Sequence, residues 1–388
     1  MGIQIRGSDD NISASDGSLT IDGVNYSTLQ VNGNNYPATG PLSNRNKIIN
    51  GDCRIDQRNA GASGTAAGFT VDRWLYFASQ ASKGTWQQNA GSVTPPVGFD
   101  YYLGYTSSSS YTLLSGDIFG IAQAIEGYNI SDLAYGTANA KPLTISFWVR
   151  SSLTGLFGGF LKNGGTASGN NTRRCTFSYT INSANTWEYK TITINGDTAG
   201  SWESTNGPAF AIAFSLGNGS TYTGGTSGTW SGNQYLQPSG CVNLVATNGA
   251  TLYLTGIQIE VGEVATPFEH RSYGDELARC QRYFRRYCEG STSKMAPCFV
   301  IGNSASTAIG NLNLSPSMRD VPSSDFDSIK VDNVGSPKSI TAVSVSANSS
   351  NDSLFLTFTV ASGITYPTPY FILADGTSSA RLDFSAEL

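Results

Sequence analysis

The sequence predicts an all-β protein: a jelly-roll sandwich, a smaller C-terminal β-sandwich, one short amphipathic α-helix joining them, and a small β-hairpin arm at the N-terminus. Three observations carry that expectation. Charged residues make up 13% of the 388 residues, about half the usual share near 25%. Glycine occurs 44 times while hydrophobic residues reach 39%, with 19 Tyr, 18 Phe and 6 Trp. That is too apolar for a disordered chain and too poor in Lys and Glu for a helical one. Finally, runs of alternating apolar and polar residues recur between clusters of Gly, Asn, Asp and Ser, as short strands between turns require.

Residues 1–43 form the arm. They hold a ten-residue repeat, LTIDGVNYST (residues 19–28) followed by LQVNGNNYPA (29–38). Each copy alternates into Asp-Gly or Asn-Gly, the strongest short hairpin signal, and resumes with a tyrosine. Hairpins this small bury no core alone. The arm is therefore expected to order against partner chains, with a decorated edge of the next domain as the other reading.

Residues 44–271 carry the jelly-roll signals: FTVDRWLYFAS (69–79), KPLTISFWVRSS (141–152), RCTFSYTI (174–181), WEYKTITI (187–194), AFAIAFSL (209–216) and ATLYLTGIQIEV (250–261). In LTISFWVR, Leu143, Ile145, Phe147 and Val149 fall on one face, and Thr144, Ser146, Trp148 and Arg150 on the other. A period of two marks a strand covered on one side. Strands of this kind pack as two facing sheets. Residues 217–240 are nearly all Gly, Ser, Thr and Asn around Tyr222, Trp230 and Tyr235, too long for a tight turn and expected as a surface excursion.

Residues 272–288 read as the helix. Ser272 followed by Asp275 has capping-box spacing. Asp275 and Glu276 stand at the positive end of the helix dipole, and Arg282, Arg285 and Arg286 at the negative end. Leu277, Cys280, Phe284 and Tyr287 supply one apolar face. The expected rod has roughly 15 residues and spans about 22 Å. Residues 289–388 return to β, with about seven short strands from CFVIGNS to ARLDFSAEL, the count of a second sandwich.

Charge and chemistry exclude several function classes. A formal net charge of −5 argues against a nucleic-acid binder. No apolar run reaches the length of about 18 residues that a membrane span needs, and MGIQIRGSDD lacks the apolar core of a secretory signal. Cys53, Cys175, Cys241, Cys280, Cys288 and Cys298 are widely spread without a CxxC pair, so free and mostly buried thiols are expected rather than a metal site. DNISASDG (residues 10–17) lacks the spacing and distal glutamate of a calcium loop and reads as turn chemistry. No cofactor and no metal are expected.

No catalytic residue is assigned. His270, the sole histidine, lies between Glu269 and Arg271 in a connector and is expected to be ion-paired rather than a triad base. Glu126, Glu188 and Glu203 have the chemistry of a glycosidase pair, but the long regular repeat of a parallel β-helix, the usual frame of such spikes, is missing. The cluster CQRYFRRYC has three readings: nucleic-acid binding, a solvated helix face, or packing between domains or subunits. The third is preferred for Arg279, Arg282, Tyr283, Arg285 and Arg286, because arginine and tyrosine are enriched at interfaces. Tyr222, Trp230, Tyr235 and Gln237 are candidate glycan-binding residues, since sugar C–H faces stack on aromatic rings and amides supply hydrogen bonds. The competing reading, which is favoured for Trp230, is that it pins the loop onto the sandwich.

Several blocks resemble bacteriophage tail-fibre and related virion structural proteins: NKIINGDCRIDQRN (46–59), FTVDRWLY (69–76), IEGYNISDLAYGTANAKPLTISFWVRSSLTG (125–155), INSANTWEYKTITINGDTAGSW (181–202), GIQIEVGEVATPFEHRSYGDELARCQRYFRRY (256–287) and the ending LDFSAEL. Cys53 departs from the pattern, at a position often aromatic. The resemblance implies a non-enzymatic surface protein of a phage particle, with a carbohydrate-binding-module-like jelly roll, assembled as a homotrimer. The expected function is thus a tail-fibre-like virion component, made and folded in the host cytoplasm. It would be anchored to other virion proteins through residues 1–43 and attach to host-surface glycan, with no nucleic-acid partner and no membrane insertion. A capsid-mounted fibre or decoration protein is the first alternative, and a polysaccharide-degrading tailspike the second.

Overall fold

The computed structural model describes residues 44–164, 172–289 and 295–388, together with the backbone of Leu29–Val31 and Asn34–Tyr36. Those two short strands pair antiparallel with Val31 opposite Asn34, the register expected for a hairpin in the second repeat. The first repeat, and the attachment role expected of residues 1–43, lie outside the described residues.

Two antiparallel sheets face each other in the larger lobe. The seven-stranded sheet runs Trp230–Ser231, Arg174–Ile181, Gly155–Asn163, Pro208–Asn218, Ile118–Glu126, Leu75–Ala78 and Gly68–Phe69; the five-stranded sheet runs Glu188–Ile194, Leu143–Ser151, Thr251–Val261, Leu103–Ser107 and Gly84–Gln88. The alternation in LTISFWVR does what its period requires: Leu143, Ile145, Phe147 and Val149 are all fully buried between the sheets. Their outward neighbours are more covered than a one-sided strand predicts. Thr144 and Ser146 are buried too, and Thr144 Oγ1 donates to the Gly262 carbonyl at 2.8 Å. Aromatic rings weld the sheets together. Phe214 of one sheet meets Phe147 of the other edge-to-face at 5.0 Å, with Phe177 and Trp74 around it, the geometry favoured by ring quadrupoles. All six cysteines are free, and Cys241 alone among them is not buried.

The helix is shorter than expected. Tyr273–Gln281 is α-helical, and Ser272 Oγ accepts from the Asp275 N–H at its start, as the capping box requires. The chain then turns, and Phe284–Tyr287 becomes a strand instead of the last helical turns. Pairing with Arg381–Ser385 places Arg286 opposite Asp383, and the two form a bidentate ion pair at 2.8 and 2.7 Å. A ladder plus a charge-assisted fork overrides a local helical period of only two turns.

In the smaller lobe, the strands expected as a second sandwich close on one another. Met295–Gly302, Thr307–Asn313, Ser353–Val360, Lys338–Val345, Ile329–Asp332 and Pro369–Ala374 close into a six-stranded barrel around Val300, Leu312, Leu354, Leu356, Phe358 and Ile372. Closure follows from Pro369–Ala374 pairing with both Met295–Gly302 and Ile329–Asp332, which leaves none of these strands as a free edge. Beside the barrel, Phe284–Tyr287, Arg381–Ser385 and Ser323–Asp327 form a three-stranded sheet.

Between the lobes lies a reciprocal clamp. Glu126, buried at the end of a sandwich strand, accepts from Arg282 Nε at 2.9 Å, from Arg282 Nη2, and from the Tyr283 hydroxyl at 2.7 Å. In the other direction Glu387, just beyond the last strand, pairs with the sandwich arginines Arg58 and Arg73. Arg73 also stacks 3.6 Å over the Tyr283 ring, and Arg58 3.7 Å over Phe284. Arg319 of the smaller lobe reaches the Asn206 carbonyl at 3.1 Å and the Ala386 carbonyl at 2.8 Å. Cys280 and Tyr283 close a small apolar cluster with Ile49 and Ile55, against which Leu277 and Leu388 pack.

Two predictions follow from this joint. Replacing Glu126 with Ala leaves Arg282 and the Tyr283 hydroxyl facing an empty buried site, so urea unfolding is expected to show a loss of about 2–4 kcal/mol. A double-mutant cycle with Tyr283→Phe should give coupling above about 0.5 kcal/mol; additive losses would contradict the shared acceptor. The second concerns Asp72, whose carboxyl is pushed up to about 7 by burial, against the pull of Arg58 and the Gln57 hydrogen bonds. The folded state then holds a proton from about pH 4 to 7 that the unfolded chain releases, so Asp72 subtracts from stability as pH rises through that window. The stability of Asp72→Asn relative to the parent should therefore increase between pH 4 and 7, as read by urea midpoints. A pH-independent difference would refute it.

Candidate functional site

The outward face of the seven-stranded sheet carries a cavity of about 260 Å³. Strand alternation builds it. In GLFGGFLKN, Phe157 and Leu161 point into the core between the sheets, which turns Phe160 and Lys162 outward. Register then sets their neighbours: Phe160 lies opposite Ala213, and Lys162 lies between Ala211 and Arg174. Ala122 and Ala211 keep the floor low because they end at Cβ. Gly120 serves the same end, since a Cβ there would stand 2.4 Å from the Phe77 ring. Phe77 and Phe160 meet edge-to-face at 6.5 Å and form one wall.

The opposite wall comes from the excursion after Pro208–Asn218. Tyr222, Gln234 and Leu236 line the cavity. Backbone bonds hold that segment in place: Leu236 N–H donates to the Tyr222 carbonyl at 2.7 Å, and Ser215 Oγ donates to the Leu236 carbonyl at 2.7 Å. Two cations complete the lining. The Arg174 guanidinium lies 5.7 Å from the Phe160 ring and donates to the Gln234 carbonyl at 2.7 Å. Lys162 is only 6% exposed, and its ammonium pKa is pushed down to about 8 by burial and then by the neighbouring Arg174 charge. Among the described residues it has no ion-pair partner. Rings with a narrow floor and a few convergent donors can hold a sugar: the rings take its C–H face and the donors its oxygens.

Of the four residues singled out in the sequence, the structure brings Tyr222 to this cavity. Trp230 packs instead against Trp202 at 5.4 Å and Tyr135 at 5.7 Å, and its indole N–H donates to the Asn195 carbonyl at 2.9 Å, so it pins the loop. Tyr235 lies under the chain at Gly224, where a Cβ would come within 2.8 Å of its ring. Gln237 is buried, donating to Thr223 Oγ1 at 3.3 Å and accepting from Asn218 Nδ2 at 3.3 Å. Phe77, Phe160, Lys162, Arg174 and Gln234 escaped the sequence reading. The signal for two of them was present: once Phe157 and Leu161 are read as inward, an outward Phe-x-Lys follows.

The five residues assigned to an interface act at the joint or the helix surface of this chain. Arg282 and Tyr283 bind Glu126, Arg285 is buried and donates to the Pro316 carbonyl, and Arg286 binds Asp383. Arg279 pairs with Asp275 on the helix and donates to Asn44 Oδ1 at 2.8 Å.

The candidate carboxylates are engaged elsewhere. Glu126 belongs to the clamp, Glu188 pairs with Lys190 at 2.6 Å, and hydrogen bonds from Thr205 hold Glu203 below the usual carboxylate range. No carboxylate lines the cavity among the described residues. His270 is exposed and lies against Phe99 at 5.2 Å and Phe268 at 4.9 Å, so ring contacts replace the expected ion pair.

No protein-family model matches the sequence, and no curated protein matches it. Solved structures do. A putative sugar-binding protein from Bacteroides thetaiotaomicron aligns with 9% identity and a TM-score of 0.32, over 56% of this chain and 100% of that one. A family 61 carbohydrate-binding module in complex with β-1,4-galactotriose aligns with 11% identity and a TM-score of 0.27, over 56% and 99%. The enzymatically active domain of tailspike protein 4 from bacteriophage CBA120 aligns with 10% identity and a TM-score of 0.31, over 58% of this chain but 24% of that one, so the chain spans about a quarter of its length. The structural neighbours of this all-β chain thus include carbohydrate-binding modules and a phage tailspike domain.

Proposed function

We propose that the chain is a non-enzymatic, tail-fibre-like component of a phage virion that attaches to host-surface glycan through the outward cavity of its seven-stranded sheet. The observation that carries the glycan reading is the lining itself: Phe77, Phe160 and Tyr222 around an alanine floor, with Lys162, Arg174 and Gln234 at hand. Three ring contacts and a few donors in so small a cavity make a weak single site. A homotrimer offers three such sites, and linked sites raise avidity by about 10²–10⁴. The resemblance of several sequence blocks to tail-fibre proteins supports the virion reading. The capsid-mounted fibre and the polysaccharide-degrading tailspike are the rival readings.

The smaller lobe offers a surface for that trimer. Its outer wall exposes Met295, Phe299 and Ile301 at 51%, 66% and 51% in a row of alternating outward positions, beside Phe371. A closed barrel has no edge to pair, so association proceeds through side chains on such a face.

Two measurements test these readings. On immobilised host-surface polysaccharide, Phe160→Ala and Tyr222→Ala should each weaken binding about tenfold, equivalent to about 1.4 kcal/mol, with circular dichroism unchanged; the parent should release no new reducing ends. Retained binding in both variants would move the site elsewhere, and sustained turnover would favour the tailspike. Light scattering should give three times the 41.0 kDa of one chain, and Phe299→Asp with Ile301→Asp should return it to a single chain. A parent that stays monomeric at high concentration would count against the trimer.

A further inference from the structure

We infer that the cavity selects an anionic sugar, whose carboxylate or sulfate group is received by Lys162 with Arg174 beside it while the sugar ring lies against Phe160, Phe77 and Tyr222. This rests on the glycan reading above and narrows it to a substrate class.

Lys162 carries the argument. A lysine is almost never kept this far from water unless an acceptor or a counter-charge meets it. Here neither is found: beyond the backbone ladder, no hydrogen bond or ion pair joins the Lys162 side chain to a described residue, and the charge named beside it is that of Arg174. No Asp or Glu lines the cavity among the described residues. The connecting residues 165–171, GTASGNN, carry no acid in sequence either. Its cross-strand neighbour is a second cation, Arg174, so the protein itself makes the position worse for a positive charge. For the fold alone, methionine would fill the place better.

An anionic ligand group resolves this arrangement. It would supply the missing counter-charge in a partly desolvated site, where a charge-assisted hydrogen bond is strong. The remaining lining then describes the rest of the ligand. Three rings and an alanine floor suit a sugar ring, not a bare ion. The volume of about 260 Å³ falls below the roughly 300–1,000 Å³ of drug-sized sites, which suits one residue of a chain. A polynucleotide is disfavoured, because two cations on a chain of net charge −5 make no electrostatic track.

The test uses the full chain on an array of uronic-acid, sialylated and sulfated oligosaccharides beside their carboxyl-reduced or desulfated counterparts. Acidic members should bind at least tenfold more tightly than their neutral counterparts, and the carboxylate and sulfate arms identify which anion is preferred. Lys162→Met should collapse that ratio towards unity while raising the thermal midpoint, since it removes a buried cation. Binding of the acidic members should weaken as pH rises through about 8, where the Lys162 ammonium gives up its proton; the groups that face it are Arg174 on one adjacent strand, Ala211 on the other and Tyr222 across the cavity. Equal binding of acidic and neutral members, still lost in Phe160→Ala and Tyr222→Ala, would overturn the anion and leave glycan binding standing. Failure to bind any glycan would overturn both. Free sulfate binding as tightly as a sulfated sugar would reduce the site to an ion site and likewise overturn the inference.

Discussion

The arrangement on which both lobes depend is the exchange of buried charges across the joint. Glu126 is a sandwich carboxylate whose cation, Arg282, comes from the turn after the helix; Glu387 lies beyond the final strand, and its cations, Arg58 and Arg73, come from the sandwich. Each lobe therefore holds an ion that only the other lobe can satisfy. A buried carboxylate left without its partner costs several kcal/mol, so separating the lobes would strand charges on both sides at once. Stacking strengthens the exchange, because Arg73 and Arg58 lie flat on Tyr283 and Phe284 and bring the aromatic surfaces of the joint with them. Two lobes with independent cores are tied to one another by these pairs.

This also explains where the sequence was readable. The strands of the larger lobe announce themselves because burial on one face imposes a period of two, and Leu143, Ile145, Phe147 and Val149 obey it to full burial. Ser272 and Asp275 mark the helix start because capping is a local hydrogen bond between residues three apart. The helix end is different in kind. Phe284–Tyr287 fits a helical face and a strand equally well over so short a span, and the decision belongs to Asp383, almost a hundred residues later. The sandwich expected for residues 289–388 became a barrel for a similar reason. Strand number and spacing follow from local pattern, but closure depends on whether the first and last ladders meet, a non-local fact. The cavity lay between these cases. Tyr222 stood out as an aromatic in a polar loop, whereas Phe160 and Lys162 were hidden by the glycines around them, which blur the alternation that would have shown which way they point.

A stability argument ties the cavity to the joint. Both contain buried cations, but their surroundings are opposite. At the joint every arginine meets a carboxylate, a carbonyl or a ring; Arg282 has its pKa raised first by its hydrogen bonds to Glu126. At the cavity Lys162 is held below its ordinary range, with burial as the leading cause. A fold that pairs the carboxylates of its joint with arginines has the means to pair a lysine elsewhere, or to use an apolar residue instead. The lysine is a local conflict within a sheet whose other outward residues agree with their environment, and conflicts of that kind concentrate where a protein binds something.

Rigidity at the joint then has a consequence for attachment. The cavity belongs to the sandwich, and the exposed apolar row of Met295, Phe299 and Ile301 belongs to the barrel. With a loose connection, three chains meeting through their barrels would hold their cavities at unrelated angles, and each would bind at its single-site strength. The charge exchange opposes any change in the angle between row and cavity within each chain, since a change would separate paired buried charges. In the proposed trimer symmetry repeats that angle three times, so the cavities share one orientation relative to the axis. Avidity of the proposed trimer would then depend on whether ligand spacing matches that geometry, since the effective concentration at the second and third sites depends on reach and orientation. In the proposed attachment the clamp would therefore matter as much as the rings of the cavity, although it lies in a different part of the chain.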